Sequence, residues 1–259
     1  MEKIAMMKHK LTPPFAVRVA FAALAAQAFV FASCSGRISG VLREDGSGVI
    51  TIQSALQPSV AALVSAVSGN AAPILDAQSI ALSMRNAQGV AAVSMRNITP
   101  SSVEGSVSVS QANDFLAAPG VQTQRLITYE QTTGGGRLSI ALNRATAPQF
   151  VRLLSSDAED YLSCLMAPGL TTDWQYILTK ADYIRQLKAT YNSLRNARGL
   201  GNALASELES ATISIALDFP GAVRSAQGGT FSGKRAEFVV PVIDLLTLEK
   251  PLAYEVVWE

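Results

Sequence analysis

Apolar and polar positions along the chain fall into three blocks, two with β spacing on either side of one with helical spacing. Residues 37–43 and 49–53 read as two strands around Glu44-Asp45-Gly46-Ser47-Gly48, and an Asp-Gly between β-rich runs is a hairpin signal. Residues 58–67 begin with proline and stop before Gly69. Residues 73–87 put Ile74, Leu75, Ala81, Leu82 and Met84 at roughly helical spacing and stop before Gly89, so two short helices are predicted. Strands follow at 90–96, 103–110, 125–131 and 137–142. Val103, Gly105, Val107 and Val109 alternate, which predicts a strand with one wet face, and Thr133-Gly134-Gly135-Gly136 supplies a turn. Residues 145–210 change to helical spacing. Ser156-Asp157-Ala158-Glu159 is a capping-box sequence. Tyr183, Leu187, Tyr191 and Leu194 then form one stripe, with Arg185, Lys188 and Arg195 mostly outside it. A further short helix is predicted over 199–209, and strands return at 212–217, 230–241 and 252–258. The pattern predicts an α+β fold: a largely antiparallel sheet from N- and C-terminal strands, with a helical insertion (about 145–210) packed on one face.

The first 33 residues do not fit that pattern. Lys3, Lys8, Lys10 and Arg18 precede an apolar run over 19–31, broken only by Gln27. Thirteen residues are too few for a bilayer that needs roughly 20. A positive start, a short apolar middle and small residues before a cut describe a secretory signal. Ala32-Ser33-Cys34 resembles the lipobox of bacterial lipoproteins, in which the cysteine is acylated and becomes the new N-terminus; Phe31 stands where that pattern prefers leucine. The expectation is a signal peptide over 1–33 and one α+β envelope domain over 34–259, held to a membrane by lipid on Cys34. An ordinary secretory signal cut nearby, with Cys34 incidental, is the alternative.

Composition then narrows the chemistry. The sole histidine, His9, lies in the signal, so residues 34–259 contain none. Ser-His-Asp and Cys-His catalysis need an imidazole, and zinc sites lean on histidine or clustered cysteine. Neither a metal nor a cofactor is expected. With Cys34 acylated, Cys164 has no partner for an internal disulfide, and its apolar neighbours suggest a buried, inert thiol. Past residue 33 the chain carries 17 basic and 19 acidic side chains with no basic patch, which gives no reason to expect a nucleic-acid partner.

Remaining candidate motifs weaken on inspection. Gly228-Gly229-Thr230-Phe231-Ser232-Gly233-Lys234-Arg235 nearly spells a phosphate-binding loop, but Arg235 replaces the hydroxyl residue and a β-rich run follows, so a hairpin turn is expected. Asp157, Glu159 and Asp160 fall in the first turn of a predicted helix, where acids favour the positive end of the dipole. No lysine is spaced from a serine as a catalytic dyad would be, and the chain is expected not to be an enzyme. Tyr161, Trp174, Tyr176, Tyr183 and Tyr191 cluster in the helical block. Apolar bodies with polar tips suit the wall of a pocket for a lipid-like ligand, although the same residues would equally build a core.

The two ends of the chain carry a family resemblance. Leu217-Asp218-Phe219-Pro220-Gly221-Ala222-Val223, then Gly228-Gly229 and residues 234–241, resemble the C-terminal part of the LppM-like lipoproteins. The strand, Asp-Gly turn and strand over 38–53 resemble that family's start. The resemblance implies an α+β domain at the cell envelope, and a lipoprotein domain facing the periplasm or exterior is expected. It also implies no catalytic residues and a capacity for lipid-like molecules; no site residue carries over. The expected role is binding, of an apolar or lipid-like ligand or of an envelope partner. A structural scaffold without a pocket is the alternative.

Overall fold

A computed structural model describes residues 34–68, 75–85, 89–110, 126–132, 134–147, 165–167, 169–170, 178–193 and 199–259. Among these, eleven strands form two sheets. They are β1 (Cys34–Leu42), β2 (Gly48–Leu56), β3 (Val90–Thr99), β4 (Ser102–Val109), β5 (Ile127–Thr132), β6 (Gly135–Leu142), β7 (Thr212–Asp218), β8 (Val223–Gln227), β9 (Gly229–Ser232), β10 (Arg235–Pro241) and β11 (Leu252–Trp258). Five helices accompany them: α1 (Pro58–Ser68), α2 (Ala77–Arg85), α3 (Lys180–Asn192), α4 (Leu200–Ser210) and α5 (Val242–Thr247). The larger sheet has the order β3-β4-β2-β1-β7-β10-β9, and the smaller one β5-β6-β11-β8.

Mixed α+β content and mainly antiparallel pairing agree with the sequence pattern; the single sheet expected from it does not. The described strands divide between two sheets, and β1 pairs with β7 in parallel. The segment read as one strand over 230–241 is a hairpin, with Gly233 at φ 59° between β9 and β10. This bears out the turn reading of the glycine-rich motif. β8 and α5 were not visible in the sequence. Arg224 and Ser225 interrupt the apolar pattern of β8, and six residues are too few for α5 to show a helical period.

Alternation decides which face of the larger sheet is buried. Ile50, Ile52 and Leu56 of β2, Ile213, Ile215 and Leu217 of β7, and Phe238 and Val240 of β10 are buried. Their neighbours Thr51, Gln53, Glu237 and Val239 are exposed. The smaller sheet meets this buried side through Phe238 and Tyr254, whose rings stand edge to face at 5.5 Å. Trp258 stacks on Phe219 at 4.7 Å, and Gly136 leaves the space its indole fills, because a Cβ there would collide with the ring. Buried residues from both sheets and all five helices make one hydrophobic cluster.

The register places Cys34 at a defined end of the larger sheet. Cys34 stands opposite Leu56, Gly36 opposite Ile213, and Thr212 opposite Pro241. Three helices join the central strands at that same end: α1 follows Leu56, α4 leads into Thr212, and α5 follows Pro241. Hydrogen bonds tie the junctions, with the Val242 amide donating to the Ala211 carbonyl at 3.0 Å. The opposite end holds the β1–β2 turn, where Gly46 adopts φ 80° and Asp45 accepts the Ser47 amide at 2.9 Å.

Candidate functional site

Helix α3 has two faces with different uses. Its start is set by Thr179, whose hydroxyl accepts the Asp182 amide at 3.1 Å. Tyr183, Ile184, Leu187 and Tyr191 are buried. Lys180, Ala181, Arg185 and Lys188 lie beside that stripe, and with Ile184, Glu209 of α4 and Ile243 of α5 they line an open groove of about 640 Å³. Ile184 and Ile243, each only 7 % exposed, form its apolar floor. Three cations surround that floor, with Glu209 among the lining residues and Asp182, Asp244 and Glu249 beside them. Lys180 pairs with Asp244, and its backbone amide donates to Glu249 at 2.8 Å. Arg185 pairs with Asp182. Lys188 has no ion-pair partner among the described residues. Chemically, an apolar floor beneath a charged rim is a layout that could take the apolar body and the polar head of an amphiphile.

The aromatic residues singled out in the sequence are placed otherwise. Tyr183 is fully buried, and its hydroxyl donates to the Leu165 carbonyl at 2.7 Å. Burial, with Tyr191 alongside, pushes its phenol well above the ordinary tyrosine range, so it stays neutral. Tyr191 is 8 % exposed and belongs to the same core cluster. Neither lines the groove, which occupies the neighbouring face of the helix that carries them. Tyr161, Trp174 and Tyr176 lie outside the described residues, as do Asp157, Glu159, Asp160 and Cys164. Cys34 is the first residue of β1. Of the groove residues, Arg185 and Lys188 were recognised only as lying off the apolar stripe. Lys180, Ile184, Glu209 and Ile243 carried no signal, because the groove exists only once α4 and α5 pack beside α3.

A second groove, of about 660 Å³, lies at the other end of the larger sheet between the β1–β2 turn and the segment after β7. Arg43 and Lys234 face Glu44, Asp45 and Asp218 there. Lys234 donates to the Pro220 carbonyl at 2.5 Å, and Arg235 bridges Asp218 and Glu237 at 3.1 and 2.8 Å. Hydrogen bonds from Ser47 hold the Asp45 carboxyl below its usual range. Arg43 and Asp45 are engaged by Ser47 within the turn, and Lys234 and Asp218 are engaged beside β7 and β10.

Among the described residues, no group of three or more His, Cys, Asp and Glu side chains is arranged to hold a metal ion. No helix among them is long and apolar enough to cross a membrane. No family model matches the chain, and no curated protein matches it. A solved structure with some similarity is the NMR structure of the folded domain of LppM from Mycobacterium tuberculosis. It is 14% identical over 88% of this chain and 90% of that one, with a TM-score of 0.38. A likeness that low carries no argument about this chain.

Proposed function

We propose that this chain is a lipid-anchored protein of a bacterial envelope, that it works by binding rather than catalysis, and that its ligand is an amphiphile with an anionic head. The observation that carries the reading is the groove on α3, with an apolar floor of Ile184 and Ile243 and Lys180, Arg185 and Lys188 at its rim. The anchor is acyl lipid on Cys34; two or more chains give stable attachment where one does not. In this reading residues 34–259 form a single domain, and the helical segment within 145–210 covers the inner face of the larger sheet near Cys34. Membership of the LppM-like family belongs to the same proposal and rests on the sequence at the two ends. The carboxyls of Asp45 and Asp76 are shifted down, toward permanent ionisation, which suits turns and caps and not proton transfer near neutral pH.

Native mass spectrometry of the protein after exposure to an envelope lipid extract tests the ligand. A retained lipid mass that disappears in Ala181→Trp, which fills the groove from an exposed position, supports the reading. A bare polypeptide mass, or a lipid retained equally by Ala181→Trp, overturns it.

A scaffold role has one observation in its favour. β3 pairs only with β4 among the described residues, and Ile98 on it is 52 % exposed. An unpaired strand edge is a template for another chain. Concentration-dependent association that is lost in Ile98→Lys is the expected result under that alternative.

A further inference from the structure

The larger sheet is open along β3, and α2 stands over that edge. Residues 92–97 pair regularly with β4 between two register shifts, one before Ala92 and one after Asn97. Among the described residues, no backbone group of these six bonds anything outside that ladder. α2 packs on β3. Asn97 fixes its start, accepting the Ala77 amide at 3.1 Å and donating to the Leu75 carbonyl. Arg85 ends α2 only four residues before β3 begins, so helix and strand run in opposite directions.

A groove of about 350 Å³ runs between them, lined by Ala81, Leu82 and Arg85 of α2 and by Met95, Arg96 and Asn97 of β3. Met95 and Asn97 point to one face of the sheet and Arg96 to the other, and no residue of β4 lines the groove. The groove therefore reaches round the free edge of the strand. Ala81 is buried and Leu82 is 52% exposed, which makes its helical side apolar. Arg96 is paired with Glu104. Two charges without an opposite charge among the described residues remain, one at each end. Asp76 caps α2 through the Gln78 amide and the Ser79 hydroxyl but meets no cation, and Arg85 meets no acid.

We infer that this edge takes up a short extended segment of another protein, which adds a strand to β3 under the flank of α2. Its apolar side chain lies against Leu82 and Met95, and an acidic one meets Arg85. Unpaired N–H and C=O groups along an edge are matched by an extended backbone, whereas an acyl chain leaves them unsatisfied. A second copy of this chain does not fit. Antiparallel pairing of two β3 edges about a two-fold axis sets the strands about 4.8 Å apart and both α2 helices on the same face. Each helix rides on its own β3, so their axes fall inside the roughly 8–10 Å that packed helices keep. A segment without a helix meets no such obstacle. Antiparallel addition starts the segment beside Asp76 and places its acid toward the C-terminal side, at Arg85. The inference rests on the open edge of the scaffold alternative and not on the groove of α3.

The test uses the full chain carrying Cys34→Ser, so that acylation plays no part, and random hexapeptides displayed on phage. Enriched peptides are expected to share an apolar residue followed by an acid. The synthetic consensus peptide is expected to protect the amides of residues 92–97 from hydrogen exchange and to lose binding when its alternate amides are N-methylated. Leu82→Glu should weaken it about tenfold with an unchanged melting temperature, and selection on Arg85→Glu should replace the acid by a base. No shared pattern, equal binding by Leu82→Glu or by the N-methylated peptide, or protection elsewhere than β3 overturns the inference. So does self-association of the peptide-free protein that Leu82→Glu abolishes, since the edge then serves a second copy. Ala181→Trp should bind the peptide like its parent, so failure of the lipid reading leaves this result unchanged.

Discussion

The carboxylate of Glu207 accepts both the backbone amide and the hydroxyl of Ser59, at 3.0 and 2.9 Å, across 148 residues of sequence. One acid on α4 thereby caps the first turn of α1, where amides have no partner within the helix and the dipole favours negative charge. Two helices that enter the larger sheet from different strands are fastened to each other at the Cys34 end. Glu207→Ala leaves a partly buried amide and hydroxyl unpaired. It is expected to destabilise the fold by about 1–3 kcal/mol, read as a shift of the urea midpoint; an unchanged midpoint would show that water replaces the cap at no cost.

Leu187 is completely buried on the stripe that α3 turns inward. Leu187→Ala is expected to cost about 2–5 kcal/mol. Ala181→Trp, six residues away on the groove side, should change stability by less than about 0.5 kcal/mol. Thermal melts of the two variants separate the buried face of α3 from its open one.

Gly136 and Gly134 lie two residues apart in the β5–β6 hairpin with unlike surroundings. A Cβ on Gly136 meets the indole of Trp258 and the carbonyl of Glu130, whereas one on Gly134 meets nothing within 4 Å. Gly136→Ala should displace the indole at a cost of about 1–3 kcal/mol, with altered tryptophan fluorescence. Gly134→Ala should leave both stability and emission unchanged, and a spectrum unaffected by either substitution would contradict the packing.

Burial pushes the Tyr129 phenol up to about 12, and its hydroxyl donates to Gln131 at 2.6 Å. An unfolded tyrosine ionises near 10, so the folded state favours the neutral phenol. The stability this contributes is complete below about pH 10 and is lost as pH rises from there toward 12. Tyr129→Phe is expected to flatten part of the alkaline fall in melting temperature. The carboxyl of Asp76 works in the opposite direction: hydrogen bonds from Ser79 and the Gln78 amide lower it. Its contribution is present above about pH 4 and lost in acid, so Asp76→Asn should flatten the acid limb.

Replacing Cys34 with serine is expected to move the protein from the membrane fraction to the soluble one. Continued retention would remove the lipid from the account, while leaving the fold as described.

What could be read from the sequence follows from the range of each signal. Alternation in β2, β7 and β10 is local, so Ile50, Ile52, Ile213 and Phe238 announce a buried face without knowledge of their neighbours. The parallel pairing of β1 with β7 joins residues about 180 apart, and nothing near Gly36 or Ile213 encodes it. Gly228, at φ 80°, stands between β8 of the smaller sheet and β9 of the larger one; a glycine in sequence marks a turn but not its destination. The tyrosines of α3 show the same limit. Tyr183 and Tyr191 stood out as amphipathic side chains suited to a wall, but whether the wall faces ligand or core is set by α4 and α5.

β1 lies between β2 and β7, antiparallel to one and parallel to the other, and begins at Cys34 itself. A pull on that residue along the strand loads both ladders lengthwise at once, and no slack segment takes up the strain first. Rungs loaded in this way must slip together, whereas a strand peeled from a sheet edge gives way one rung at a time. Were the chain held by lipid on Cys34, as proposed, the load would enter the fold through a strand paired on both sides, and resistance to extraction would be governed by the unfolding rate of the sheet centre.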